Sequence, residues 1–289
     1  MKRKIYDKLI DWKKNDSRRT ALLIDGARRV GKSYIAEEFA KSEYKSHLII
    51  DFNRAGNDLK DIFERYLDDL DTFFTYLSAY YGIRLYERES LIIFDEVQMF
   101  PKARSAIKYL VADGRYDYLE IVTKIKFLVE DQRYRYILSG SLLGVEIVNL
   151  KSAPVGYLKT LQMYPLDFEE FLWATKNDGL MPIISKCFSE KKPLGQAMHR
   201  KVMDIFRQYL IVGGMPQAVN EYVATKDFEK VDQVKRDILT LYRADIVKYA
   251  KSYERKVESI FDEIPSQLQK HEKKFNLASI SKEARFREY

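Results

Sequence analysis

Gly26, Gly31, Lys32 and Ser33 stand in the spacing G-x-x-x-x-G-K-[ST]. These residue types at this spacing suit one task, which is holding a run of phosphates. The glycines let the backbone curl so that successive N–H groups point into a cradle. The start of a following helix adds partial positive charge, Lys32 can reach the β- and γ-phosphates, and the Ser33 hydroxyl can ligate Mg2+. The cradle is therefore Gly26, Ala27, Arg28, Arg29, Val30, Gly31, Lys32 and Ser33, with Tyr34 in the helix behind it. The plain alternative is an ordinary glycine turn, but such a turn does not require Lys-Ser at those places.

A second group lies 63 residues beyond Lys32, where Leu91-Ile92-Ile93-Phe94 runs into Asp95 and Glu96. Four apolar residues read as a buried strand. Asp95 at its tip would hold Mg2+, and Glu96 would take a proton from an attacking water. Capping of the next helix is the bland role for Asp95. A softer third signal is Tyr136-Ile137-Leu138-Ser139-Gly140-Ser141. A strand ending there would put Ser139 or Ser141 beside the γ-phosphate, and a plain strand-to-loop turn explains it equally well. No N-K-x-D element for guanine occurs, and Arg28 stands where a dinucleotide fingerprint needs its second glycine, so ATP is the default nucleotide.

The elements that would position these groups alternate. Short apolar runs at Ala21–Asp25, Leu48–Phe52, Leu91–Asp95, Tyr136–Ser139 and Thr160–Tyr164 are separated by helical patterns. Near-continuous apolar strands between helices predict a parallel sheet covered on both faces, a three-layer α/β fold. Leu59 to Tyr81 follows three-and-four spacing with Gly82 as C-cap. From Pro165 the pattern turns helical, with Leu166–Ala174, then Leu194–Val212 stopped by Gly213-Gly214, then Pro216 in the first turn of another helix. Residues 253–289 read as two or three short helices broken at Pro265 and near Asn276. The expected domains are 1–165, 166–250 and 251–289, with no internal repeat and no low-complexity linker.

Composition bounds the rest. A hydrophobic share of 46% over 289 residues fills a sizeable core and excludes a wholly disordered chain. A single cysteine, Cys187, excludes an intrachain disulfide and a thiolate metal cluster, and the three histidines have no ligand spacing. The aliphatic runs are too short to span a bilayer, and the basic N-terminus lacks a signal-peptide core, so the expectation is a cytoplasmic protein that does not engage membranes. Of the net charge of +7, the first twenty residues carry eight Lys/Arg against three Asp. That is read as the solvated face of a leading helix with Ile5, Leu9, Ile10 and Trp12 as its apolar stripe, in preference to a polyanion contact.

GARRVGKS, LIIFDEVQMFPKA, YILSGSLLGVEI, MYPLDFEEFLWA and YLIVGGMPQAV occur in this order. Together they resemble bacterial and archaeal AAA+-type P-loop ATPases in which an AAA domain precedes a domain of unknown function (the AAA_14 and DUF4143 families). The resemblance runs from about residue 18 to the chain end. It implies an AAA+ core with sheet order 5-1-4-3-2, a helical lid over 166–250, and a partial winged-helix segment over 251–289 cut short at Tyr289. It also implies that Gly214-Met215-Pro216 packs near the adenine, with Pro216 a nucleotide contact. Many relatives carry Gly-Arg where this chain has Gly156-Tyr157; if that arginine acts across subunits on the γ-phosphate, Arg104, Arg115 and Arg135 are the candidate substitutes. Without one, turnover falls by about three to five orders of magnitude.

The expected activity is Mg2+-dependent hydrolysis of ATP to ADP and phosphate. Lys32, Glu96 and Ser139 are its catalytic set, and Ser33 and Asp95 its metal ligands. The alternative is a slow or non-hydrolysing nucleotide-gated switch, or a DNA-associated regulator using the basic residues Lys270 to Arg287. A homo-oligomer is the further partner considered.

Overall fold

The computed structural model describes residues 1–97, 100–123, 156–249 and 254–269. The chain opens with α1 (Ile5–Asn15), β1 (Ala21–Gly26), α2 (Lys32–Glu43), β2 (Ser46–Asp51), α3 (Asn57–Arg65), α4 (Leu70–Tyr81), β3 (Ser90–Asp95), α5 (Pro101–Asp113) and β4 (Asp117–Thr123). It continues with β5 (Leu158–Gln162), α6 (Phe168–Ala174), α7 (Leu180–Ser189), α8 (Gln196–Val212), α9 (Pro216–Thr225), α10 (Phe228–Tyr249) and α11 (Glu254–Gln269).

The five strands form one sheet in the order β2-β3-β4-β1-β5, and every pairing is parallel. β1 and β3 are buried along almost their whole length. That is why their sequences read as unbroken apolar runs rather than as alternation. One face of the sheet (Leu22, Ile24, Leu91, Ile93, Leu119, Ile121) packs with Ile5, Leu9 and Trp12 of α1 and Ile35, Ala36 and Phe39 of α2. On the other face Phe52, Phe63, Phe73 and Phe94 form edge-to-face ring contacts that join α3 and α4 to the sheet. This is the α/β fold of P-loop NTPases, with the expected strand order.

The fourth strand is not the expected one. Asp117–Thr123 fills the place between β1 and β3, whereas Tyr136–Ser139, to which that place was assigned, lies outside the described residues. The chain carries the pattern twice. Ile107–Thr123 and Ile125–Ser141 align without a gap at a spacing of eighteen, and eight of the seventeen positions are identical. The expectation of no internal repeat is corrected accordingly. Both copies have the period of a helix followed by an apolar run, so periodicity cannot choose between them.

Three other expectations change. The pattern from Leu59 to Tyr81 is two helices, because Asp69 accepts a bond from the Thr72 N–H at 3.3 Å and restarts the chain as α4. The second helix ends at Gly82, in the left-handed region, as read. Helix α7 was not anticipated. Helix α11 runs through Pro265 instead of ending there, although an interior proline loses one helical hydrogen bond and its ring crowds the carbonyl four residues back, a cost of about 3 kcal/mol.

The described residues up to Lys235 form one compact unit, and those from Arg236 a second. In the first, α6 starts with a capping box in which Asp167 accepts from the Glu170 N–H at 2.9 Å and Glu170 from the Asp167 N–H at 3.2 Å. Its apolar face (Phe171, Leu172) packs with Val212, Ala218, Val219 and Tyr222 of α8 and α9, and Pro216 occupies the first turn of α9 as expected. In the second unit Arg243 of α10 donates to Asp262 of α11 at 2.8 Å. Among the described residues no helix is long and apolar enough to cross a membrane.

One core position conflicts with its surroundings. Glu120, fully buried in β4, has no hydrogen-bond partner on either carboxylate oxygen and faces Arg104 of α5 at 3.8 Å. Burial pushes its pKa up to about 7, against the opposing pull of Arg104. The folded state therefore holds this proton more tightly than the unfolded chain. Its contribution to stability is fully present below the ordinary carboxylate range and is lost as pH rises towards 7, a change on the order of 3 kcal/mol. Replacing both partners (Arg104→Met with Glu120→Leu) should flatten this slope in urea titrations between pH 4.5 and 7.5. At the upper end the variant should match or exceed the parent, since buried pairs often exchange for apolar groups without loss. A slope unchanged by the double replacement would refute the assignment.

Candidate functional site

Because all strands run the same way, their C-terminal ends share one edge. β1 sends the chain past β4 and β3 to β2, the crossing at which ligands bind in open parallel sheets. Register aligns Asp95 with Ile121, and Gly26 with Thr123, so the tips of β1 and β3 lie one strand apart.

The loop after β1 turns through two positive φ angles, Arg29 at 68° and Gly31 at 95°. Gly26 is dictated by crowding, because a Cβ there would fall 2.2 Å from the Met163 carbonyl oxygen. The Met163 N–H in turn donates to the Asp25 oxygen at 2.7 Å, continuing the β1–β5 pairing past the end of β5. Helix α2 starts at Lys32 with no side chain capping it. Its first-turn N–H groups therefore face the loop as unsatisfied donors, the arrangement an anion needs.

Lys32 is buried, and its Nζ donates to the Gly26 oxygen at 2.9 Å and the Ala27 oxygen at 2.8 Å. Burial lowers its pKa, while Glu96, then Asp25, then Asp95 act to keep it charged. The Ser33 hydroxyl donates to Asp95 Oδ2 at 3.0 Å. Burial raises the Asp95 pKa, the Glu96 and Asp51 charges add to the rise, and the Ser33 bond opposes it. Glu96 has φ 53° and donates its N–H to the Ile121 oxygen at 3.1 Å, a left-handed turn at a strand tip in a residue other than glycine.

The two motifs read from sequence thus meet: Lys32, Ser33, Asp95 and Glu96 share one site. Pro216 joins it, since a Cβ on Gly31 would sit 3.7 Å from Pro216 Cγ. Ala27, Arg29, Ser33 and Tyr34 are exposed and Val30 is buried. A cleft of about 300 Å3, lined by Arg3, Tyr6, Tyr34, Ile35, Glu38 and Ser42 among others, opens along α2 against the N-terminal segment and the first turn of α1. Ser139 lies outside the described residues, as do Arg135 and Lys270 to Arg287. At the register position beside Asp95 the observed strand carries Ile121.

The other two arginines considered for the γ-phosphate are engaged elsewhere. Arg104 is in the core against Glu120, and Arg115 pairs with Asp113 at 2.8 Å and Asp71 at 2.5 Å. Sequence reasoning missed Arg3 and Met163, and reached Gly214 only through the resemblance. A Cβ on Gly214 would lie 2.2 Å from the Leu166 oxygen. The pair Gly213-Gly214 was a usable signal for that close approach, but nothing in the local sequence marks Met163.

Two hard oxygens, from Ser33 and Asp95, converge beside further carboxylates, which suits Mg2+. Among the described residues no group of three or more His, Cys, Asp or Glu could hold a metal alone. A cation here would take its remaining oxygens from phosphate and water, as Mg2+ does in nucleotide sites.

Residues 18–123 match the AAA_14 family, described as an AAA domain. Residues 203–289 match a domain of unknown function, DUF8612, and this rather than DUF4143 is the family found over that stretch. No curated protein matches the chain. Similar solved structures include a Walker-type ATPase of Pyrococcus abyssi, 13% identical over 88% of this chain and 76% of that one, TM-score 0.42. DnaA of Aquifex aeolicus bound to AMPPCP is 13% identical over 86% of this chain and 69% of that one, TM-score 0.38. Domain III of the Thermotoga maritima replication initiation protein DnaA is 13% identical over 80% and 90%, TM-score 0.36.

The contact at Gly26 has a direct consequence. Gly26→Ala must push the loop base away from Met163, and overpacking of this kind costs about 1–3 kcal/mol. The expected result is a lowered urea midpoint. A variant as stable as the parent would contradict the close approach.

Proposed function

We propose that this protein binds ATP together with Mg2+ and hydrolyses it to ADP and phosphate. The observation that carries the reading is the Ser33–Asp95 hydrogen bond beside a buried Lys32. A hydroxyl, a carboxylate and an ammonium group are thus brought to the open end of an uncapped helix, where a phosphate would meet all three.

On this reading the triphosphate lies along Gly26 to Ser33. Lys32 leaves the Gly26 and Ala27 carbonyls and turns its charge to the β- and γ-phosphates. Mg2+, when bound, would offset the charge of those phosphates from Ser33 and Asp95. Glu96 accepts a proton from a water that attacks the γ-phosphorus, the bond to the β–γ bridging oxygen breaks, and ADP leaves with that electron pair. Few groups need unusual chemistry, because phosphoryl transfer relies on positioning and charge. The cleft beside Tyr34 is the seat we assign to adenine, and residues 166–250 are read as the lid, with Pro216 at its edge.

A second reading, a nucleotide-gated switch with slow turnover, is favoured by the engagement of Arg104 and Arg115 in ion pairs of their own. The two readings share the binding site and differ in rate.

Lys32→Ala should abolish ATP binding measured by equilibrium titration. Glu96→Gln should bind as tightly as the parent yet release phosphate about 100-fold or more slowly in a malachite-green assay. Equal phosphate release from all three proteins would exclude hydrolysis at this site. Stoichiometric ATP retention with negligible turnover by the parent would select the switch.

A further inference from the structure

Arg3 belongs to the basic run that the sequence suggested was a solvated face, yet it is only 6% exposed. Its guanidinium reaches three partners from three nitrogens. Nε donates to Glu170 Oε1 at 3.1 Å, Nη1 to the Val30 oxygen at 3.0 Å and Nη2 to the Tyr164 oxygen at 2.7 Å. Glu170 is itself buried, and the same Oε1 accepts from the Lys4 N–H at 2.7 Å. The fork is therefore held from behind by α6 and by the segment leaving β5.

Val30 lies inside the phosphate loop. Its carbonyl and the Gly31 N–H belong to one trans peptide plane, so they point in opposite directions. Fixing the oxygen outward fixes the N–H inward. Gly31 at φ 95° has no Cβ to restrain the rotation of that plane, and its Cβ position lies 3.8 Å from Arg3 Nη1. We infer that Arg3 is a positioning residue for triphosphate binding: it holds the 30–31 peptide so that the Gly31 N–H faces the phosphates. The inference rests on the proposal that this loop binds ATP. Arg3 also lines the cleft assigned to adenine, and its hold on the phosphates runs through the backbone; tripolyphosphate, which has no base, isolates that second effect. An ammonium group could not substitute, because one Lys nitrogen cannot span an oxygen in the loop, one after β5 and a carboxylate on α6 in fixed directions.

Arg3→Met alone would leave Glu170 buried without its counter-charge, so stability and binding would fall together. The informative variant is Arg3→Met with Glu170→Gln, which removes both charges and keeps a side chain able to complete the α6 capping box. Calorimetric titration with ATP and Mg2+, and separately with inorganic tripolyphosphate, at a temperature where circular dichroism shows the double variant folded, should show both affinities reduced about tenfold or more. The shared loss places the defect at the phosphates and not at the base. Arg3→Lys, which keeps the charge and loses the fork, should show the same loss. Affinities within twofold of the parent in either variant would overturn the inference and leave Arg3 a packing residue. If the parent binds neither ATP nor tripolyphosphate, the ATP-site proposal fails first and the inference falls with it.

Discussion

A phosphate cradle is a piece of backbone turned inside out: its N–H groups face a ligand, so its carbonyls face the protein. Those that are buried need a donor, since a buried peptide oxygen left unpaired costs free energy comparable to a lost hydrogen bond. The organisation around β1 answers that need. Lys32 takes the oxygens of Gly26 and Ala27, Arg3 takes that of Val30, and the Met163 N–H takes that of Asp25. Donors from the N-terminal segment, the loop itself and the segment after β5 thus converge on a few residues. The cradle is not a local motif that the rest of the chain happens to surround.

The parallel sheet sets where the second half of the site falls. Register places Asp95 opposite Ile121 of β4, and β4 in turn runs beside β1. That alignment brings a carboxylate at the tip of β3 to the Ser33 hydroxyl at the start of α2. The same packing buries charges elsewhere. Arg3–Glu170 is a pair with its hydrogen bonds satisfied, and the capping box of α6 depends on its acid. Arg104–Glu120 is a looser pair at 3.8 Å in the sheet core. The contrast is physical: a carboxylate that accepts hydrogen bonds from several donors tolerates burial, and one that accepts none is driven towards its protonated form.

Much of the site was legible in the residues. Gly26 to Ser33 required a strand before and a helix after, and β1 and α2 stand there. Leu91 to Asp95 had the composition of a doubly buried strand, and β3 is one. Gly82 ended α4 and Pro216 began α9 as their backbone preferences dictate. The failures are equally specific. Arg3 sat among seven other Lys/Arg in the first twenty residues, and type alone does not separate a buried guanidinium from a solvated one. The restart at Asp69 was hidden because apolar spacing continued across it. Helix α11 carries Pro265 in its interior, against the local preference of a residue that loses a hydrogen bond and crowds the preceding turn.

Composition and spacing alone determined that this chain would build a parallel sheet with a phosphate-type loop after its first strand, because those features follow from short-range preferences of glycine, β-branched residues and helix starts. Which of two similar segments would supply the fourth strand was beyond them. Ile107–Thr123 and Ile125–Ser141 share eight of seventeen residues, and their local tendencies are the same. The tertiary structure decided it, setting Asp117–Thr123 between β1 and β3. It likewise decided the fate of Arg3, since only the folded chain brings α1, the loop after β1 and α6 within reach of one side chain. Local periodicity reports what a segment prefers to become, whereas long-range packing selects which segment gets the place.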